Sequence, residues 1–487
     1  MSILNKLFKQ TFIYGLATVL PRILSFILVP FHTGVMNTST YGETSLVFTF
    51  IAICNVVLAY GMETAFFRFF NKEANKENVI STSLVSVAAT TLGFVIISWI
   101  FKSGIATLLE LDNTLFLIVV AVLAFDALTI IPFAWLRAKE RPMRYAVVKV
   151  TTVAINLFLN LFFLAILPKL RESDNALWRA IFVEDFQVEY VFIANAISSG
   201  IAFLWVGGIY LDTKYVFETT LWRRMMRYAM PVLVAGVAYT INEVFDRYLL
   251  EWLLPADISK SEIGKYSGCY KLAVFMTLFS TAFRLGIEPF FFSHADSKNP
   301  QKGYAQITDY FVIFGSIILL VVVVFADVIK LVLIPNEAYW EALKIVPFIV
   351  LANFFLGIYH NLSVWYKVTD KTRYGAFISV IGAIITLAIN IIFIPKIGYM
   401  ASAIATLCAY TAMMCLSYFM GKKLYPVPYN MRKIIFYGGV SILFSFSSFY
   451  IFNRNLIVGS FLLCLFLGVI YKMEGDKLKA IFIKRGN

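Results

Sequence analysis

Apolar runs of roughly 20 residues recur from one end of this chain to the other, and no other feature limits its fold as strictly. A helix of that length crosses about 30 Å of hydrocarbon, where only helices and closed barrels satisfy their own backbone groups. Fourteen runs are legible: 11–31, 44–64, 79–101, 115–136, 144–168, 191–211, 228–253, 266–291, 305–327, 344–366, 374–395, 399–421, 432–452 and 454–472. Only 15% of the residues are charged, against about 25% in soluble domains. The chain reads as an all-α integral membrane protein.

The formal charge of +13 would point to nucleic acid in a soluble protein. Here the cations gather in alternate loops. With the N-terminus inside, the cytoplasmic segments together with the span ends beside them hold 27 Lys and Arg and the opposite side 10, which sets both termini in the cytoplasm and removes nucleic acid as a partner. The basic start, Met1 to Gln10, leads into an apolar run that passes Pro21 and Arg22 without a small-residue cleavage site. It is read as a first membrane helix, not a signal peptide. Clusters such as Arg223-Arg224-Arg227 and Lys422-Lys423 serve topology and lipid head groups.

A repeat organises the spans. Tyr41, Phe50, Gly61, Glu63, Phe66 and Phe67 recur 225 positions later as Tyr266, Phe275, Gly286, Glu288, Phe291 and Phe292. Trp135, Arg144-Tyr145 and Asn160 line up with Trp365, Arg373-Tyr374 and Asn390 at offsets of 229 to 230. Six spans per half is an even number, so the repeats are parallel, and substrate sites in such proteins lie between the halves near the midplane. The expected organisation is a six-helix lobe over 1–212, a cytoplasmic linker over 213–227, a second six-helix lobe over 228–421, and two additional helices with a basic tail over 422–487. Residues Trp222–Arg227 are expected to lie amphipathically on the inner surface. The largest outer loop, 168–190, is expected to hold a short interfacial helix. Pro21 and Pro30 in span one, and Pro231 with Gly236 in span seven, are candidate hinges.

Polar side chains inside the spans fall into stripes. Span five carries Lys149, Thr152, Asn156 and Asn160 on one face. Span seven carries Tyr239, Asn242, Glu243 and Asp246 with Arg247 beside them, and span eight carries Thr277, Thr281, Arg284 and Glu288 with Lys271 near the same face. Arg22 in span one, Asp126 in span four, and Asn353, His360 and Asn361 in span ten complete the set; His360 is the one histidine within an expected span. Ionisable groups in hydrocarbon face protein or water. The stripes therefore describe either a hydrated central cavity or buried ion pairs that hold helices together. Arg284 with Glu288 fits the second reading as an i,i+4 pair. Lys149 and Lys271 sit near span ends and fit snorkelling. Asp126, Glu243 and Asp246 are candidates to bind H+ or Na+, or to neutralise the neighbouring cations. No cofactor, metal ligand set or nucleophile–base pair is legible.

The segment 390–405, the stretches Tyr41-Gly42-Glu43 and 263–273, and Pro21-Arg22 together resemble the polysaccharide flippases, the family of O-antigen, capsule and exopolysaccharide exporters. Their superfamily also holds multidrug and toxin extruders and the lipid II flippase. The resemblance implies two lobes around a central cavity, about 14 helices, and residence in the bacterial cytoplasmic (inner) membrane. The implied activity is translocation of a polyprenyl-diphosphate-linked oligosaccharide to the outer leaflet by alternating access, for surface polysaccharides such as lipopolysaccharide. Glycan polymerases or glycosyltransferases are the implied partners, with membrane lipids around them. Arginine's fork suits a diphosphate, so Arg22 and Arg284 are the leading head-group residues. Lys149, Arg247, Lys271, Asn156, Asn160 and Asn242 complete the expected substrate surface. The acids among these bases keep open an ion-coupled multidrug or cation extruder. A membrane-embedded glycan polymerase or ligase is weaker, for want of a sizeable outer domain.

Overall fold

The computed structural model describes residues 20–21, 23–172, 175–293, 299–369 and 371–483, without side chains at 177, 285–286, 288–293 and 476–483. Every regular element among them is helical. Eleven helices are long and apolar enough to cross a membrane, or 12 if one bent pair counts as a single span. The first expected span, 11–31, falls mostly outside the described residues and is seen as the shorter helix α1, Ile23–Val35. The eighth is divided by a 3-10 turn at Lys271–Ala273 and is not among the eleven. The chain separates into two compact units, Met1–Gly264 and Lys265–Asn487.

The first unit contains α2 (Thr38–Ala59), α3 (Met62–Lys72), α4 (Lys76–Ile100), α5 (Asn113–Ala138), α6 (Pro142–Leu161), α7 (Gln187–Val206), α8 (Thr219–Val244) and α9 (Asp246–Leu253). Side-chain caps start several of them. Asn37 accepts from the Thr40 N–H at 2.8 Å, Asn75 from Glu77, and Asp112 from Thr114, each satisfying a donor that a helix start leaves free. α5 packs against α7 and α4, and α8 packs against α2 and α3. The repeat motif explains the junction of α2 and α3. Gly61 takes φ +72° there, and a Cβ on it would fall 2.5 Å from the Ala229 carbonyl oxygen of α8. Only glycine suits both demands. Behind it, Glu63 pairs with Arg137 of α5, the Arg137 guanidinium lies 4.8 Å from the Phe67 ring centre, and Phe66 is fully buried.

The start of α2 meets the start of α10 (Ser259–Tyr270) backbone to backbone. A Cβ on Gly42 would lie 1.8 Å from the Lys260 carbonyl oxygen, and one on Gly264 would lie 1.8 Å from that of Thr38. The hydroxyls of Thr38 and Ser261 meet at 2.7 Å alongside.

Three expectations change here. Residues 219–227 are not a separate surface segment. They form the first turns of α8, burying Leu221 and Met225 against Met62 and Phe66, while the Trp222 indole donates to Ser86 at 2.9 Å. The bend in this region is 56°, at Phe245 between α8 and α9, whereas Pro231 sits inside a continuous helix. Helix α1 runs on to Val35, so His32 lies within a helix as His360 does. The 168–190 segment holds a short helix, Ala176–Ile181.

The second unit contains the rest of α10, α11 (Val274–Ser293), α12 (Pro300–Val324), α13 (Val346–Leu362), α14 (Arg373–Ile397), α15 (Tyr399–Leu424), α16 (Met431–Phe446) and α17 (Leu456–Ile483). α15 packs against both α14 and α13, and α12 against α13. The two additional helices, α16 and α17, pack on α12. The core is aromatic: Phe311, Phe354, Tyr410 and Trp365 are almost wholly buried, and Phe279, Phe311 and Phe354 stack in series.

Candidate functional site: polar seams inside the two units

In the first unit the polar residues of five helices join into two short chains that meet on α7. Asp126 of α5 accepts from the Ser199 hydroxyl at 2.7 Å and from the Asn55 amide at 3.2 Å, one donor to each carboxylate oxygen. Lys149 of α6 is the cation whose charge acts on Asp126. Its ammonium rests 4.1 Å from the centre of the Phe133 ring, a cation–π contact that holds the charge inside the unit. One residue along α7, the Ser198 hydroxyl accepts from Asn156 at 3.3 Å. Asn160, one turn further on α6, donates to the Asn156 carbonyl at 2.8 Å and accepts from His32 Nε2 at 2.9 Å. An amide oxygen only accepts, so His32 carries its proton on Nε2.

Span five therefore presents its polar stripe as expected: Lys149, Asn156 and Asn160 point into one seam. Span four adds Asp126. Sequence reasoning missed His32, Asn55, Ser198 and Ser199. Asn55 carries the clearest sequence signal, an amide in the middle of a hydrophobic span, where an unpaired polar group costs several kcal/mol.

The span-seven residues have a different character. Asp246 and Arg247 are both buried, at 3% and 7% exposure, and pair at 2.6 Å. The same guanidinium nitrogen donates to the Glu243 carbonyl at 2.8 Å. This geometry ties down the 56° bend, because the pair straddles the start of α9 and reaches back into the last turn of α8. Asn242 is buried on the same turn.

In the second unit α11 and α13 run side by side with three matched positions. Thr277 donates to Asn353 at 3.3 Å. A Cβ on Gly357 would fall 2.7 Å from the Ser280 hydroxyl. Arg284, seven residues beyond Thr277, acts by its charge on His360, seven beyond Asn353. Arg284 is half-buried and makes no ion pair or hydrogen bond among the described residues. Lys271 lies exposed on the 3-10 turn; the tighter turn breaks the helical register that would have put it on the Arg284 stripe. Arg22 and the Glu288 side chain lie outside what the structure describes. Among the described residues, no group of three or more His, Cys, Asp or Glu is arranged to hold a metal.

Membrane-spanning helices in two units, each threaded by a seam of amides, hydroxyls and charges, define a multi-pass membrane protein of transporter architecture. The model of the polysaccharide biosynthesis protein family matches residues 7–283. The chain belongs to that family. Among solved structures, a lipid II flippase in an inward closed conformation superposes with a TM-score of 0.72 at 16% identity, over 94% of this chain and 98% of that one. An inward-facing multidrug resistance transporter described as a MATE family member of the MOP superfamily gives 0.64 at 12% identity, over 85% and 94%. A transporter from Pyrococcus furiosus, described as belonging to the MOP superfamily and having a binding pocket of reversed polarity, gives 0.55 at 13%, over 88% and 95%. These likenesses establish the fold. No curated protein matches the chain by sequence.

Proposed function

We propose that this protein flips a polyprenyl-diphosphate-linked oligosaccharide from the cytoplasmic to the outer leaflet of a bacterial inner membrane, by alternating access of two lobes. Family membership over more than half the chain carries the reading, since the family is defined by polysaccharide biosynthesis. Two features support it. The fold is shared with a lipid II flippase. Arg284 is a half-buried guanidinium on α11, and a planar guanidinium fork suits a phosphate. In this reading Arg284 and Arg22 engage the diphosphate. Lys149, Asn156, Asn160 and Asn242 serve the head group and sugar hydroxyls, and Lys271 adds positive potential, while Arg247 is neutralised by Asp246. The Asp246–Arg247 pair acts mainly as a brace for the bend.

A second reading, an ion-coupled extruder of cationic compounds, is favoured by one observation. Asp126 is a carboxylate held by Ser199 and Asn55 beside Lys149, an arrangement suited to exchanging a proton or sodium ion. Glu243 and Asp246 are the other coupling candidates.

The deciding experiment deletes the gene and complements it with wild type, Arg284→Ala or Asp126→Asn. Lipid-linked oligosaccharide is then measured by mass spectrometry beside stained surface glycan. The flippase reading expects lipid-linked glycan to accumulate in the deletion and in Arg284→Ala. Normal lipid intermediates together with new sensitivity to cationic dyes would move the extruder to the front.

A further inference from the structure

An apolar groove of about 370 Å³ runs between α13, α15 and α16 in the second unit. Its walls include Phe355, Ile358, Cys415, Phe419, Ile435 and Gly439. Gly438 and Gly439 keep one wall open, since a Cβ added to either would meet nothing within 4 Å. Two adjacent glycines inside a membrane helix sacrifice helix propensity, and here they leave a void along the chain instead of a close helix contact.

One end of this groove is cationic. On α15, Cys415, Phe419 and Lys422 fall at steps of four and three, which places Lys422 on the groove-lining stripe just beyond Phe419. On α16, Arg432, Ile435 and Gly439 follow the same spacing, so Arg432 stands one turn before the lining residues. Lys422 and Arg432 are both exposed and have no ion pair or hydrogen bond among the described residues. The adjacent Lys433 is different: it pairs with Glu474 at 2.6 Å. The cations at the groove mouth are thus the ones left for an external anion.

A hydrocarbon slot with two unneutralised cations at one end is complementary to a single-chain segment bearing an anionic phosphate. Basic pockets between membrane helices bind anionic lipid head groups for this reason. We propose that the groove binds one acyl chain of an anionic phospholipid, with its phosphate between Lys422 and Arg432. The size favours a phospholipid chain over a long polyprenyl chain, because the slot spans only one face of α16. The site is independent of the transport assignment above.

The test uses the full-length protein purified in mild detergent and analysed by native mass spectrometry. Phosphatidylglycerol and phosphatidylethanolamine with identical acyl chains are titrated separately. Wild type is expected to retain one phosphatidylglycerol in preference to phosphatidylethanolamine. Lys422→Gln with Arg432→Gln should reduce that preference by roughly 30-fold, taking about 1 kcal/mol per basic residue, while chain binding persists. Gly439→Leu, which fills the slot, should lower retention of both lipids by about tenfold. Wild-type lipid ratios in both variants, or no preference in wild type, would overturn the site. Displacement of phosphatidylglycerol by equimolar polyprenyl phosphate would overturn the choice of occupant. Either variant alone decides the matter if the other fails to fold.

Discussion

Asn160 in the first unit and Asn390 in the second stand at matching positions of the repeat, and they do the same thing locally. Each donates its amide to the carbonyl four residues back, Asn156 and Thr386, at 2.8 Å. Their oxygens diverge. Asn160 accepts from His32 at 2.9 Å, which ties α6 to α1. Asn390 accepts from Ser402 at 2.7 Å, which ties α14 to α15. The contrast sharpens at Asp126. An offset of 225 carries its partner Asn55 to Ser280, and an offset of 230 carries Asp126 itself to Leu356. Duplication has kept the internal amide pin and replaced the charge. One unit holds a carboxylate with two donors and a lysine, and the other has a leucine at that position while its own seam carries an arginine acting on a histidine. The scaffold and the chemistry of this fold are therefore separable: the pin secures helix pairs in both units, while charge is added where one unit works differently.

The largest expected effect comes from erasing that difference. Asp126→Leu gives the first unit the residue the second has, and strands the Ser199 and Asn55 donors and the Lys149 charge. Breaking a buried charged cluster in this way costs about 3 kcal/mol or more, and should lower the melting temperature of the detergent-solubilised protein by several degrees. Asp126→Asn retains an acceptor and should melt closer to wild type. An unchanged melting curve for Asp126→Leu would mean that the asymmetry carries no energy.

Close packing offers the next contrast. Gly42 in the first unit abuts the Lys260 backbone, with a Cβ position only 1.8 Å from its carbonyl oxygen. Gly268 in the second unit faces only the edge of the Tyr339 ring at 2.9 Å. A ring edge yields by a few tenths of an ångström, whereas two helix backbones must part. Gly42→Ala is expected to cost about 2–3 kcal/mol and Gly268→Ala about 1 kcal/mol, read as midpoints of thermal unfolding. Equal losses would show that the α2–α10 contact separates without penalty.

Much of this arrangement was legible in the sequence, for identifiable reasons. Hydrophobic length announces helices, and the polar stripe Lys149-Asn156-Asn160 announces an inward face, because a helix in hydrocarbon has few other places for such groups. The repeat found Gly61 and Glu63 before any role was known for them. Partner choice was not legible. That Asp126 meets Ser199 rather than an arginine depends on which helices touch, and spacing along one helix does not contain that. The bend at Phe245 was also hidden. Proline 231 carries the obvious signal, yet the chain breaks where Asp246 and Arg247 bury a pair. Residue 32 was missed for a simpler reason: the helix outlasts its hydrophobic run by a turn.

A double-mutant cycle measures the divergence of the pins. His32→Ala with Asn160→Ala should give a coupling of about 1 kcal/mol, and Ser402→Ala with Asn390→Ala a similar value. The cross pair His32→Ala with Asn390→Ala should add independently. Coupling in the cross pair would show that the two units share one network.

The smallest expected effect lies at a helix start. Asp112 caps α5 by accepting the Thr114 N–H at 2.7 Å. That bond, made first of all by the backbone, holds its carboxyl below the usual carboxylate range, and the group lies at the surface outside the spanning helix. The sign follows from linkage. A depressed carboxyl adds stability that is fully present above its unfolded pKa, about 3.9, and is lost as the pH falls through the lower folded value. The second unit's caps include Asn336, Asn430 and Asn455, accepting from Ala338 at 3.0 Å, Lys433 at 3.2 Å and Ile457 at 3.0 Å. They carry no charge and should show no such slope. Asp112→Asn keeps a capping oxygen, so its midpoint at pH 6 should match wild type within a few tenths of a kcal/mol, while its acid loss below pH 4 becomes shallower. An identical acid slope in wild type and Asp112→Asn would mean that the cap titrates no differently in the unfolded chain. The first unit's excess of working charge would then stop at the membrane interior.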